Sequence, residues 1–142
     1  MNSASQDACL AANDGEKACT ASLAQLRTAL AASWTAQTAS PLVAWTLSGP
    51  SSGQCAVSAL VLQDYCGGEI RKCLVAGTPH YFNRIDGQVV DSTAAQFGGA
   101  AINYDASTVR SRQRILHHAD TRQRYELLKE RVEQFLAELD GG

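Results

Sequence analysis

The sequence predicts one α+β domain, and three observations lead to this prediction. Apolar residues recur with helical spacing near both ends of the chain, a continuous apolar segment lies in the middle, and a β-hairpin signature follows that segment. Together these elements predict a central buried helix packed on a small antiparallel sheet, with N- and C-terminal helices around it. The 142 residues are enough for one domain with its own core.

The first helix is predicted after a short lead-in. Residues 1–21 are small and polar without a clear period, so we expect a flexible lead-in there and a single domain over 22–142. Leu23, Leu26, Leu30 and Trp34 then form an apolar stripe. The helix should end before Pro41, because the residue before a proline disfavours the helical conformation.

The second helix is predicted to be the central one. The segment "QCAVSALVLQDYC" is apolar on nearly every side, which is typical of a helix buried all round. Gly67 or Gly68 is expected to end it in a left-handed conformation. Cys55 therefore stands at the start of this helix, and Cys66 stands at its end.

The sheet is predicted from the next two segments. "EIRKCLVA" has the composition of a strand, and "HYFNRIDGQVVD" has Asp86-Gly87, a preferred pair for a type I′ turn, between two β-forming stretches. A loop with one helical turn near 94–97 follows. The closing helix carries a core-facing stripe at alternating spacings of three and four: Tyr125, Leu128, Val132, Phe135 and Leu139.

Charge and cysteine content exclude several function classes. The net charge is −2, and the arginines between Arg110 and Arg124 are offset by later glutamates, so we expect a solvated face there and no nucleic-acid partner. No apolar run approaches the ~20 residues of a membrane span, and no secretory signal is visible, so we expect a cytoplasmic protein with reduced thiols. The five cysteines form no CxxC pair, and we expect no metal and no cofactor.

Three residues stand out as a possible catalytic group. Free N–H groups and the helix dipole stabilise an anion at a helix start, so a thiol at Cys55 is well placed to ionise. If Asp86 and Gly87 are the hairpin loop, Ile85 pairs with Gln88, and His80 and Asp91 fall diagonally on one face. Nucleophile, base and orienting acid then follow in chain order.

Other polar residues are candidates for substrate contacts. The backbone N–H of Cys55 and the Gln54 side chain are candidates for an oxyanion site, and Tyr81 and Asn83 for substrate binding. Each residue also has a structural alternative, because a lone cysteine is most often a buried apolar residue, a strand histidine is commonly structural, and an aspartate after a strand is commonly a turn former. Cys66 and Cys73 are interpreted as core residues.

The sequence also resembles a known bacterial family, the YunG-like proteins. The resemblance lies in "GQCAVSALVLQDYCGGEI", "HYFNRIDGQVVDST" and "TRQRYELLKERVE", and it covers roughly Leu23 to Leu136. It implies a papain-like or NlpC/P60-like fold, with Cys55 as nucleophile, His80 as base and Asp91 as the orienting residue. It does not imply a substrate.

The function expected from these features is that of a cysteine-dependent enzyme acting on an amide or acyl carbon through a Cys55 thioester. Hydrolysis and acyl or amide transfer share this chemistry, and the small chain favours a small-molecule or short peptide-like substrate, including one bound to a carrier in a biosynthetic pathway. The alternative is a binding or regulatory module without turnover. A third alternative, a redox pair of Cys55 and Cys66, is disfavoured because a helix separates them by roughly 16 Å.

Overall fold

The computed structural model describes residues 19–141, and it confirms the α+β prediction. The helices are α1 (Leu23–Ser33), α2 (Cys55–Cys66), α3 (Arg112–Leu116) and α4 (Ala119–Gly141). The strands are β1 (Glu69–Val75), β2 (Thr78–Ile85), β3 (Gln88–Val90) and β4 (Thr108–Val109). Short 3₁₀ turns occur at Ala94–Phe97 and Tyr104–Ala106. Most of the predicted lead-in, residues 1–18, lies outside the described residues.

The sheet is antiparallel, with strand order β3-β2-β1-β4. Ile85 pairs with Gln88 across the β2–β3 turn, as the sequence predicts. Asp86 and Gly87 both have positive φ, at 53° and 74°, which is the conformation that a type I′ turn requires. This register decides which side chains of β2 and β3 share a face, and therefore where His80 and Asp91 lie.

Helix α2 is buried between the sheet on one side and α1 and α4 on the other, as predicted. The main core joins α2 to residues of α1, β1 and α4, including Leu30, Ile70 and Leu128, each fully buried. The opposite face of the sheet carries a second, smaller cluster of Cys73, Val75 and Phe82. Loop residues after β3 cover that second cluster, so the sheet is covered on both faces.

Parts of the sequence prediction are wrong in detail. The short α3 and β4 are not predicted, and Leu139, expected on the core stripe of α4, is 47% exposed. The last turn of α4 extends beyond the packed part of the core, where Val132 is still fully buried.

The cysteines also differ from expectation. Cys66 is buried as predicted, but its sulfur forms a disulfide with Cys19, whereas reduced thiols are expected from the sequence. The backbone N–H of Thr20 also donates to the Tyr65 carbonyl at 2.9 Å. The chain just before α1 is therefore fastened to the C-terminal end of α2.

Candidate active site

Cys55 is the first residue of α2, as predicted, and its side chain is half-buried. The residue before it, Gln54, is the N-cap, and the turn leading into the helix contains Gly53 with φ +75°. A Cβ at Gly53 would lie 3.0 Å from the Ser40 backbone nitrogen, so this close approach of two loops favours glycine. Cys55 contributes to the lining of a cavity of about 470 Å³.

His80 lies on β2 and is completely buried. Its Nε2 is 2.7 Å from Oδ2 of Asp91, just beyond the end of β3. The Phe97 ring meets the imidazole edge-on, with centroids 4.8 Å apart. The imidazole is therefore held in one orientation by a carboxylate and an aromatic neighbour.

The Asp91 carboxylate is itself fixed by two further donors. The Tyr104 hydroxyl donates to Oδ2 at 2.8 Å, and the Thr93 backbone N–H donates to Oδ1 at 3.3 Å. Burial, followed by this hydrogen bond to Asp91, raises the pKa of the Tyr104 phenol well above its usual value. Tyr104 therefore stays protonated and acts as a permanent donor to the carboxylate.

The electrostatics favour a protonated His80. Burial opposes the charge and lowers the pKa of His80. The hydrogen bond and negative charge of Asp91, with a further contribution from Cys55, outweigh burial and raise the pKa to about 9. Because Nε2 faces Asp91, we expect Cys55 to interact with Nδ1, the other ring nitrogen. Asp91 therefore fixes one side of the imidazole, and Cys55 lies near the ring.

Gln96 connects this group to the loop before Cys55. Its Nε2 lies 3.4 Å from Nδ1 of His80 and donates to the Thr93 hydroxyl at 2.9 Å, while its Oε1 accepts from the Gly53 backbone N–H at 3.3 Å. Gln96 also lines the cavity. It therefore joins the hairpin part of the site to the start of α2.

Comparison with known proteins assigns the chain to a family. A family model described as "YunG protein" matches residues 22–137, which is most of the chain. The chain belongs to the YunG family. This confirms the resemblance seen in the sequence, and the match includes α1 through most of α4.

One curated relative of this YunG-family chain is "Uncharacterized protein YunG" of Bacillus subtilis (strain 168). The two are 51% identical over 53 residues, which cover 37% of this chain and 46% of the relative. The chain thus matches less than half of that relative's length. No solved structure matches the chain.

The structure brings together the three residues predicted to be catalytic, although their roles stay predictions. His80 contacts Asp91 at 2.7 Å, and Cys55 lies near enough to raise the pKa of the imidazole. Tyr81, predicted to contact substrate, lines the cavity as well. Burial raises the pKa of its phenol, and the nearby Arg110 partly opposes this effect.

Two other predicted contacts are not in position to touch a substrate. Gln54 is fully buried, does not contribute to the cavity lining, and donates through Nε2 to the Thr35 carbonyl at 3.0 Å. Asn83 is also buried, and its Nδ2 donates to the Ala59 carbonyl at 3.0 Å. Asn83 thus fastens β2 to α2, and its predicted role in substrate binding is not supported by this position.

The expected solvated face of arginines is also wrong in part. Arg110 and Arg114 line the cavity, together with Lys72 of β1. Arg112 instead pairs with Asp64 at 2.9 Å. Among residues 19–141, no group of three or more His, Cys, Asp or Glu side chains is arranged to hold a metal ion, and no helix is long and apolar enough to cross a membrane.

Sequence reasoning misses Gln96 and Tyr104. The helical turn at Ala94–Phe97 is predicted, so a polar residue in that turn, soon after Asp91, was a usable signal for Gln96. Tyr104 lies 13 residues beyond Asp91 in an irregular loop. No sequence periodicity relates the two residues, so only the folded loop brings them together.

Proposed function

We propose that the chain is a cysteine-dependent enzyme that acts on an amide or acyl carbon through a thioester on Cys55. The proposal includes a papain-like arrangement of nucleophile, base and orienting acid, in which the nucleophile begins a central helix and the other two residues come from the sheet. The family match by itself does not supply an activity.

The observation that carries the proposal is the buried His80 imidazole, which contacts Asp91 and lies close enough to Cys55 for that residue to raise its pKa. The His80 side chain is 0% exposed and that of Asp91 5% exposed, so water does not screen their 2.7 Å contact strongly. A buried imidazole with a raised pKa supports an adjacent thiolate as an ion pair. Cys55, which is half-buried, is the member of the group that lines the cavity.

The proposed reaction has two steps. The Cys55 thiolate attacks the carbonyl carbon, and a tetrahedral intermediate forms with its charge on oxygen. The C–N or C–O bond to the leaving group then breaks, and the His80 imidazolium gives its proton to that group as the thioester forms. Water or an amine next attacks the thioester carbon and loses a proton to the neutral His80, and the C–S bond breaks with its electron pair on the Cys55 sulfur. The acyl product leaves, and the thiolate and imidazolium are restored.

The backbone N–H of Cys55 remains the candidate donor to the developing oxyanion. As the first residue of α2, it has no acceptor within its own helix. Gln96, whose amide lies beside His80 and lines the cavity, is a better placed side chain than the enclosed Gln54.

The proposal is tested by the reactivity of Cys55. Alkylation with iodoacetamide at about pH 6 should label Cys55 faster than a free thiol with an ordinary pKa of about 8.5. His80→Gln should abolish this advantage, whereas Cys73→Ala should preserve it. The ion pair is refuted if the labelling rate of Cys55 rises with pH as that of an ordinary thiol does and is the same in His80→Gln.

A second measurement addresses turnover directly. The protein is incubated with cell extract, and its intact mass is compared with that of Cys55→Ala. An acyl adduct that is present only when Cys55 is intact supports the thioester, and its mass identifies the acyl group. An adduct that persists in Cys55→Ala contradicts the proposed nucleophile.

One observation favours the alternative, a small-molecule-binding module without turnover. His80 is fully buried, and the Gln96 amide lies beside its Nδ1, the nitrogen needed for proton transfer. If that amide keeps Nδ1 occupied, the cavity can bind a ligand without reaction. Slow labelling of Cys55, together with protection by a small molecule and no adduct, is the result that this alternative predicts.

A further inference from the structure

The cavity beside Cys55 has a charge opposite to that of the whole chain. The sequence has 14 acidic and 12 basic residues, apart from histidine. In contrast, four basic side chains line the cavity, and among the described residues no aspartate or glutamate does so. These basic residues are Lys72, Arg110, Arg114 and Arg124.

Three of these four cations have no carboxylate partner within residues 19–141. Arg124 pairs with Asp120 at 2.9 Å, but Lys72, Arg110 and Arg114 form no ion pair there. Outside the cavity, Arg112 pairs with Asp64, whereas the partly buried Arg131 has no carboxylate partner among the described residues and donates to neutral oxygens instead. Lys72, Arg110 and Arg114 thus bring three cations without a carboxylate partner in the described residues to one cavity.

Arg110 gives the most specific indication of a missing partner. Its Nε is buried and has no hydrogen-bond acceptor. A buried donor of a charged group without an acceptor costs free energy, so such a group usually has a ligand or partner. Arg110 lies directly after β4, which pairs with β1 at Lys72, and Lys72 faces Tyr81 across β1 and β2.

We propose that the cavity binds an anionic group of the substrate, a carboxylate or a phosphate, through Arg110, Arg114 and Lys72. This inference rests on the proposed function, because it assigns a chemical class to the substrate of the same site. The substrate is then an amide or acyl compound with a negatively charged group remote from the carbon that Cys55 attacks. Arginine suits this role, since its planar fork binds carboxylate and phosphate through two parallel hydrogen bonds.

The test compares two alkylating reagents that differ in charge. Iodoacetate is anionic and iodoacetamide is neutral, and both modify the Cys55 sulfur. The ratio of their rates at Cys55, measured by peptide mass spectrometry, reports attraction of an anion and is independent of the fraction of thiolate. Arg110→Gln/Arg114→Gln removes two cavity cations, and Arg27→Gln removes an exposed arginine of α1 that does not line the cavity.

The double substitution should lower the iodoacetate-to-iodoacetamide ratio by about three- to tenfold, the effect of one or two partly screened unit charges. Arg27→Gln should leave the ratio unchanged. A ratio that falls equally in both proteins, or in neither, overturns the inference. If the double variant does not fold, Arg114→Gln alone, on an exposed side chain, should still lower the ratio.

Two added anions show whether the cavity prefers a phosphate or a carboxylate. Inorganic phosphate and succinate are compared, at constant ionic strength, as inhibitors of iodoacetamide labelling. Stronger protection by one of them identifies the preferred group, and protection by neither counts against the inference. The same reagents distinguish failure of the proposed function from failure of this inference. If only the proposed function is wrong, Cys55 reacts slowly with both reagents at about pH 6, while the iodoacetate-to-iodoacetamide ratio, measured at about pH 8.5, still falls when the arginines are replaced.

Discussion

Replacing Asp91 with asparagine should remove most of the pH dependence that His80 gives to stability. In the folded chain the pKa of His80 is raised from 6.5 to about 9, with Asp91 as its strongest supporting partner. Because the folded value is the higher one, this stabilisation is complete below about pH 6.5 and is lost as the pH rises towards 9. The shift corresponds to about 3 kcal/mol of unfolding free energy.

The wild-type chain should therefore lose about 2 to 3 kcal/mol between about pH 6.5 and 9. Asp91→Asn should be less stable than wild type by about 3 kcal/mol at the lower pH, because a buried imidazolium loses its carboxylate. At the higher pH, where His80 is neutral in both proteins, the difference in stability between wild type and Asp91→Asn should shrink to about 1 kcal/mol. This is the net value of the hydrogen bonds that the Asp91 carboxylate still accepts in the wild type. The asparagine keeps the shape of the side chain, so packing against Tyr104 is disturbed little.

The assay is urea unfolding, followed by circular dichroism, at several pH values in this range. Asp105→Asn, at an exposed position, is the matched control and should follow the wild type. Burial, followed by the charge of Asp91, raises the pKa of the Cys73 thiol, which lowers stability in the same direction near pH 9. The part due to burial is present in all three proteins, whereas the part due to Asp91 is absent from Asp91→Asn. If Asp91→Asn keeps the wild-type slope, or if wild-type stability rises with pH, the assignment of the His80 charge is refuted.

Three further predictions concern the scaffold. Gly68→Ala should destabilise by about 3 kcal/mol or more, because its φ is +76° and the new Cβ would overlap the Arg84 carbonyl oxygen. Gly77→Ala, with φ +81° and open space around the new Cβ, should cost only about 1 kcal/mol. Equal unfolding free energies of the two variants would contradict this reasoning. Asn83→Ala should cost about 1 to 3 kcal/mol, since it removes the side-chain hydrogen bond to the Ala59 carbonyl and leaves space in the buried contact between β2 and α2. An unchanged urea midpoint would refute the role assigned to that bond. Reduction of Cys19–Cys66 should destabilise by about 2 to 4 kcal/mol, because it opens a loop between residues 47 apart, so dithiothreitol should lower the Tm of the wild type but not that of Cys19→Ser.

The elements predicted correctly are those whose signals are local. The apolar residues of α2 indicate a buried helix wherever the rest of the chain lies, and Val57 and Leu60 are fully buried. The Asp86-Gly87 pair fixes the hairpin register, because a two-residue turn leaves one way to align the strands. This register also accounts for the proximity of His80 and Asp91.

The elements that are missed depend on contacts between distant segments. Strand β4 has two residues, too few for a periodic pattern, and it exists because Arg71 and Lys72 of β1 provide backbone partners for it. The disulfide between Cys19 and Cys66 likewise needs the lead-in to return to the far end of α2. Neither sequence spacing nor composition contains that information.

The same distinction explains which site residues are predictable. A thiol at a helix start and a histidine and aspartate in one hairpin are each found by a local rule, and the structure joins them. Gln96, Tyr104 and Arg110 come from three points of the long connection after β3, and each reaches the site only because that connection folds back over the sheet. Cys55 and His80 lie on regular elements and Asp91 directly follows one, so these residues are held rigidly. The proposed anion site instead draws Arg110 from the connection, where a change of sequence alters binding at little cost to the core. On this reasoning, substitutions at Arg110 should change which substrate is bound, and substitutions at Asp91 should change stability as well as reactivity.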